Sequence, residues 1–299
     1  MQDEQIGRIR AFNRTVTERI GGLEETYLGR GRPLGETRLL WEIGPAGADV
    51  RELRSRLGID AGYASRMLRA LERDGLVTVE PAAHDRRLRR ARLTRRGRAE
   101  HEQLDRRSDE LVRSMLEPLD ERQRDRLVTA VDEVERLLRA SMVAIRPADP
   151  AEADARRCVA RYVDELGTRF DGGFDPARSL PADDDELRAP RGVLLLARLR
   201  DEAVACGAVK LHGDAPAELK RMWVSPGARG LGLGRRLLRE LESFAAGNGA
   251  PAVRLETNRA LVEAIALYRS SGYREVAPFN DERYAHHWFE KRLPADANA

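Results

Sequence analysis

Arg229-Gly230-Leu231-Gly232-Leu233-Gly234 is the stretch on which the reading of this chain turns. It follows an apolar, strand-like run, Leu219 to Val224, and the turn Ser225-Pro226-Gly227. After it, Leu237, Leu238, Leu241 and Phe244 recur at helical spacing and define one apolar face. Alternating glycines between a strand end and a helix start leave backbone N–H groups unhindered. With the positive end of the helix they can receive a diphosphate. The glycines run G-x-G-x-G, so the dinucleotide fingerprint G-x-G-x-x-G does not fit, and the lysine and hydroxyl residue of a Walker loop are absent. A glycine-rich turn without a ligand is the alternative.

Outward from this loop the pattern alternates. Val143 to Arg146 reads as a strand, followed by a helix from about Ala153. Gly192 to Leu199 and Val204 to Leu211 are apolar runs joined by Arg200-Asp201-Glu202, a hairpin signal. A helix is expected from Gly234 to Ala246, a strand from Ala252 to Glu256 and a helix from Leu261 to Ser270. Tyr273 to Ala277 and His287 to Arg292 close the pattern as strands. The expectation is an α+β domain with a mixed central sheet over 143–299.

Residues 1–142 read differently, as helices separated by short turns. Ile6, Ile9, Phe12, Val16 and Ile20 share one helical face, and a second helix spans Leu34 to Ile43. Asp49 is placed to cap a third helix that Gly58 ends. A fourth runs from about Ala61 to Arg73, with Tyr63, Ser65, Arg66 and Arg69 at early, exposed positions. Such donors suit a helix that reads base edges in the major groove. A two-stranded hairpin follows. Asp85 to Arg98 holds eight arginines and one acid, a basic tip where Arg86, Arg87 and Arg89 could meet phosphates. Two long amphipathic helices, from Arg95 to about Glu117 and then through Leu127, Val131, Val134 and Leu138, offer more apolar surface than the preceding unit can cover. A partner subunit is the natural cover.

Two resemblances sharpen both readings. Asp85-x-Arg87, then Leu93-Thr94 and Gly97, resembles the wing signature of the MarR family over roughly residues 4 to 140. The resemblance implies a winged helix-turn-helix homodimer on a double-stranded DNA operator of pseudo-palindromic half-sites, with Asp85 bracing Arg87. Arg229, Gly232 and Gly234 match the Q/R-x-x-G-x-G/A motif of the GNAT acetyltransferase superfamily. Asn258 to Tyr273 resembles its second acetyl-CoA motif. That resemblance, over about 143 to 293, implies acetyl-CoA as cosubstrate, bound by residues 229–234, Arg235 and Asn258. The backbone at Met222, Trp223 and Val224 would take the thioester carbonyl and pantetheine arm, with the Trp223 side chain facing the core. Tyr268 stands where the superfamily's tyrosine protonates the CoA sulfur. Glu218, or failing that Glu256, is the candidate base for the acceptor amine.

Composition narrows the class. The 299 residues carry a formal net charge of only +3 and 41% hydrophobic residues, as soluble globular proteins do. Met1 to Phe12 is charged and lacks the apolar run of a signal peptide, so a cytoplasmic protein with no membrane partner is expected. Cys158 and Cys206 lack metal-ligand spacing, and no metal is expected. The leading expectation is a bifunctional transcriptional regulator and N-acetyltransferase acting on a small-molecule or protein amine. The alternative is a regulator whose second domain only senses acetyl-CoA or an amine ligand.

Overall fold

The computed structural model describes residues 3–23, 26–81, 88–200 and 202–294. The chain forms two compact units, Met1–Val131 and Asp132–Ala299. The first contains α1 (Asp3–Arg19), α2 (Leu34–Ile43), β1 (Ala48–Asp49), α3 (Val50–Leu57), α4 (Ala61–Arg73), β2 (Val77–Pro81), β3 (Arg89–Leu93) and α5 (Arg95–Leu116); α6 (Glu121–Ser141) begins in it and ends in the second. The expected hairpin is a three-stranded sheet of order β1-β3-β2. Periodicity could not reveal the two-residue β1, which exists through pairing of Ala48 with Ala91 and Asp49 with Arg90.

Local chemistry sets most of these boundaries. Asp60 caps α4 by accepting from the Tyr63 amide at 2.9 Å, and Gly58 ends α3 in the left-handed region at φ 64°. Asp49 occupies the cap position of α3, but its side chain makes no capping bond and Oδ1 is buried without a partner. That expectation is corrected: the residue is also paired in β1, which fixes its backbone on another element. Asp120 and Gln123 form the reciprocal cap that their spacing predicts. Leu39, Leu40, Leu53, Leu71 and Leu76 form the core of this unit, each worth about 1.5–3 kcal/mol on burial.

The second unit contains β4 (Val143–Ala148), α7 (Ala153–Arg169), β5 (Gly192–Leu199), β6 (Glu202–His212), β7 (Ala215–Val224), α8 (Leu233–Gly247), β8 (Ala252–Thr257), α9 (Val262–Ser270), β9 (Arg274–Val276) and β10 (His287–Arg292). Its seven-stranded sheet has the order β4-β5-β6-β7-β8-β10-β9. Strand alternation sorts the core by face. Val193, Leu195 and Ala197 of β5 join Leu237, Leu238 and Leu241 of α8. Leu194 and Leu196 join Ala155 and Cys158 of α7 on the other side.

β7 and β8 are parallel, linked through α8, and they pair only at Ala217↔Val253 and Glu218↔Arg254. Beyond that point the strands part. β7 also carries an extra residue opposite Cys206 and Ala208, with Arg221 at φ 54°, a bulge that re-aims the strand end. The glycine loop therefore leaves the carboxyl end of a strand beside an opening in the sheet, and it enters a helix amino terminus. No helix among the described residues is long and apolar enough to cross a membrane.

Candidate functional sites

In the glycine loop, Gly230 and Gly232 adopt φ 79° and 72°, which other residues reach only with strain. Gly234 is needed for a different reason: a Cβ there would lie 3.2 Å from Leu267 Cδ2 of α9. Gly232 caps α8, and no side chain supplies a capping bond. Among the described residues, none of the amides from Gly230 to Arg235 donates to a backbone oxygen; the first to do so is Arg236, to Gly232 at 3.1 Å. These orphan donors at a helix start fit an anionic diphosphate.

A cavity of about 490 Å³ opens beside them. Its walls include Met222, Trp223 and Val224 from β7, the loop residues Arg229, Gly230, Gly232, Leu233, Gly234 and Arg235, and Tyr268 from α9. The structure thus brings together most of the residues expected at the acyl-donor site. Leu231 instead packs on the core. Asn258 is buried away from the cavity, donating to the Tyr284 carbonyl at 2.7 Å and accepting from the Ala260 amide at 2.9 Å. Trp223 is buried, and its Nε1 donates to Glu165 at 2.9 Å.

Among the lining residues that the sequence did not single out are Tyr162 and Glu165 of α7; Arg169, in the helix-loop region where the resemblance places the acceptor pocket, lines the cavity beside them. Their spacing of three and four puts them on one helical face, and that was the available signal. Glu165 accepts from Trp223, Arg229 and Arg169. Burial pushes its carboxyl up, but the bonds from Arg229, Trp223 and Arg169 outweigh it and hold the group below the usual carboxylate range.

The Tyr268 hydroxyl has no protein partner among the described residues. Burial first, then the Glu256 charge, pushes its pKa above the ordinary tyrosine value. The phenol stays protonated at neutral pH. Glu218 and Glu256 do not line the cavity. Glu218 receives Arg254 at 2.7 Å and faces Lys220 at 3.6 Å. Burial raises it, yet Arg254 and Lys220 prevail and hold it low. Glu256 pairs with Lys220 and accepts from Asn280 at 3.3 Å. No group of three or more His, Cys, Asp or Glu among the described residues could hold a metal.

In the first unit, α4 buries Ala64, Met67, Leu68 and Leu71 and exposes Tyr63, Arg66 and Arg69; Ser65 is half-buried. Arg66 lies over the Tyr63 ring at 5.7 Å, and Arg69 is steadied by the Ser65 carbonyl and hydroxyl, both at 3.2 Å. Neither arginine forms a salt bridge among the described residues, so both are available to phosphates or bases. Arg89 is exposed at the start of β3. Asp85, Arg86 and Arg87 lie outside the described residues. The base of the wing explains Leu93-Thr94 and Gly97. Thr94 caps α5 by accepting from the Gly97 amide at 2.9 Å and donates to the Gly75 carbonyl at 2.7 Å. A Cβ on Gly97 would sit 2.0 Å from the Leu76 oxygen.

Residues 160–273 match the model of the acetyltransferase (GNAT) family, and residues 30–88 that of the MarR family. The chain is 37% identical over 130 residues to an IAA acetyltransferase of Azospirillum brasilense, which covers 43% of the chain and 84% of that protein. It is 36% identical over 127 residues to the N-alpha-acetyltransferase RimI of Mycobacterium tuberculosis, 42% of the chain and 75% of that protein. Among solved structures, a MarR variant from E. coli complexed with operator DNA is 25% identical, covering 44% of this chain and 96% of its own, with a TM-score of 0.38. The chain belongs to the GNAT acetyltransferase family, with a MarR-family winged-helix segment ahead of the acetyltransferase unit.

Proposed function

We propose that residues 143–299 transfer an acetyl group from acetyl-CoA to an amine, and that residues 1–142 bind operator DNA as a homodimer. The transferase reading rests on the unpaired amides of Gly230 to Arg235 at the mouth of α8, beside a cavity lined by Gly230, Gly232 to Arg235 and Tyr268. The loop amides and the helix end hold the diphosphate of acetyl-CoA. The parted edge of β7 at Met222 to Val224 takes the pantetheine arm and the thioester carbonyl.

The acceptor ammonium must lose a proton before its nitrogen attacks the thioester carbon. We assign that proton to Glu256, acting through water, ahead of Glu218. Both carboxylates pair with Lys220, but Glu218 also carries the Arg254 guanidinium, which holds it low, whereas the Glu256 charge is felt at both Tyr268 and Tyr162. As the C–S bond breaks, Tyr268 donates its proton to the departing thiolate.

The dimer reading is supported by exposed apolar residues on helices that bury little of their own: Ile6, Ile9 and Phe12 on α1, and Val128, Val131 and Leu138 on α6. Operator binding is supported by Arg66 and Arg69 of α4, exposed and without a salt bridge among the described residues.

The test is release of free CoA over a panel of small amines and amino-terminal peptides, beside calorimetry with acetyl-CoA. Turnover with any acceptor supports the transferase. Binding without turnover across the panel would make the domain a sensor, and absence of binding would remove the site.

A further inference from the structure

α6 lies outside both segments matched by the family models, yet its last turns reach the glycine loop. Arg136 Nη1 donates to the Gly230 carbonyl at 2.8 Å, across 94 residues of chain. Glu133, one turn earlier, accepts from Arg136 Nε at 2.9 Å and also from Nη2, which holds the guanidinium in place. A second arginine also ties the end of α6 to the start of α8. Arg236, in the first turn of α8, donates to the Ala140 carbonyl at 2.8 Å and the Val143 carbonyl at 3.0 Å. The Ala140 oxygen belongs to the end of α6, where carbonyls lack intrahelical partners and a cation is favoured.

The peptide plane converts the Arg136 bond into a statement about the loop. The Gly230 carbonyl and the Leu231 N–H belong to one planar trans unit and point opposite ways. Fixing the oxygen on Arg136 therefore fixes the direction of the Leu231 N–H, one of the unpaired donors. Without that anchor Gly230, at φ 79° and lacking a Cβ, leaves the peptide free to rotate.

We propose that the end of α6 is a working part of the acetyl-CoA site, with Arg136 as a positioning residue that presets the loop amides for the diphosphate. The inference rests on the reading that this loop receives acetyl-CoA. By linkage, a ligand that tightens the loop also tightens the end of α6, and a displacement of that end weakens the ligand by the same factor.

The test is calorimetry of acetyl-CoA binding to the full chain and to R136A, R136K and R139A, beside thermal unfolding of each. Arg139 is the control, because among the described residues its side chain pairs only with Glu135 on its own helix. R136A should bind about tenfold more weakly, because the loop amides must then be ordered when the ligand binds. R136K should recover most of the affinity, and R139A should match the parent chain. If R136A is also less stable, R136K decides: affinity near the parent supports the proposal, and a loss as large as that of R136A overturns it. Parent-like binding by R136A overturns it too. Absence of heat from the parent chain would bring down the acetyl-CoA reading itself, an outcome distinct from either.

Discussion

Arg229 Nη2 lies 2.6 Å from both carboxylate oxygens of Glu165, joining the first residue of the glycine loop to the carboxyl-terminal part of α7. Arg229 Nε also donates to the Val224 carbonyl at 3.1 Å, so the same side chain pins the end of β7. Glu165 is the hub. Its replacement by alanine strips acceptors from Trp223, Arg229 and Arg169 together.

The expected result for E165A is a loss of about 1–3 kcal/mol, the cost of leaving a buried donor such as Trp223 Nε1 unsatisfied. Chemical denaturation measures it. The pH dependence has a definite sign. The folded-state pKa of Glu165 is depressed, so its contribution is present above the unfolded value of about 4.3 and is lost as pH falls through the lower, folded one. The gap between E165A and the parent chain should narrow on acidification below about pH 4. A gap independent of pH would refute the ion-pair account.

Tyr268 should matter to turnover and not to binding. Y268F keeps the ring in the core and removes only the proton donor. The rate should fall by roughly 10²-fold or more, with acetyl-CoA affinity unchanged in calorimetry. Burial and the Glu256 charge keep the phenol protonated, so the acid step should show no decline with pH up to about 10, the ordinary tyrosine value. A rate for Y268F equal to the parent would remove the assignment.

Gly97 leaves no room for a side chain. The Cβ of G97A would meet the Leu76 oxygen at 2.0 Å, and backbone cannot step aside as a flexible side chain can. A loss of about 1–3 kcal/mol is expected, with the base of the wing displaced. Denaturation of the parent and G97A, followed by operator binding, would show whether both properties fall together.

On α4, R66A and R69A should weaken DNA binding without lowering stability, because both side chains are exposed and neither holds a buried partner. An arginine that meets a phosphate contributes about 0.9 to the slope of log affinity against log salt; one that reads a base costs about 1–3 kcal/mol in discrimination. Titration of operator and scrambled duplexes over a range of salt separates the two. Parent-like affinity on both duplexes at every salt would exclude α4 as the reading helix.

Much of the chain was legible because its signals are local. The glycines at 230, 232 and 234, the apolar face of α8 and the Asp120–Gln123 pair each act within a few residues, so their spacing declares them. The same holds for Thr94 with Gly97. Tertiary structure alone decided which groups share the cavity. Glu165 meets Trp223 across 58 residues and Arg229 across 64, and Arg136 meets Gly230 across 94. It also drew Glu218 into an ion pair with Arg254 on the neighbouring strand and turned the Asn258 amide toward backbone. The reason is physical. Helix faces, caps and turns are written in short-range sterics and hydrogen bonding, whereas the basicity of a carboxylate depends on charges that only the folded chain brings near it.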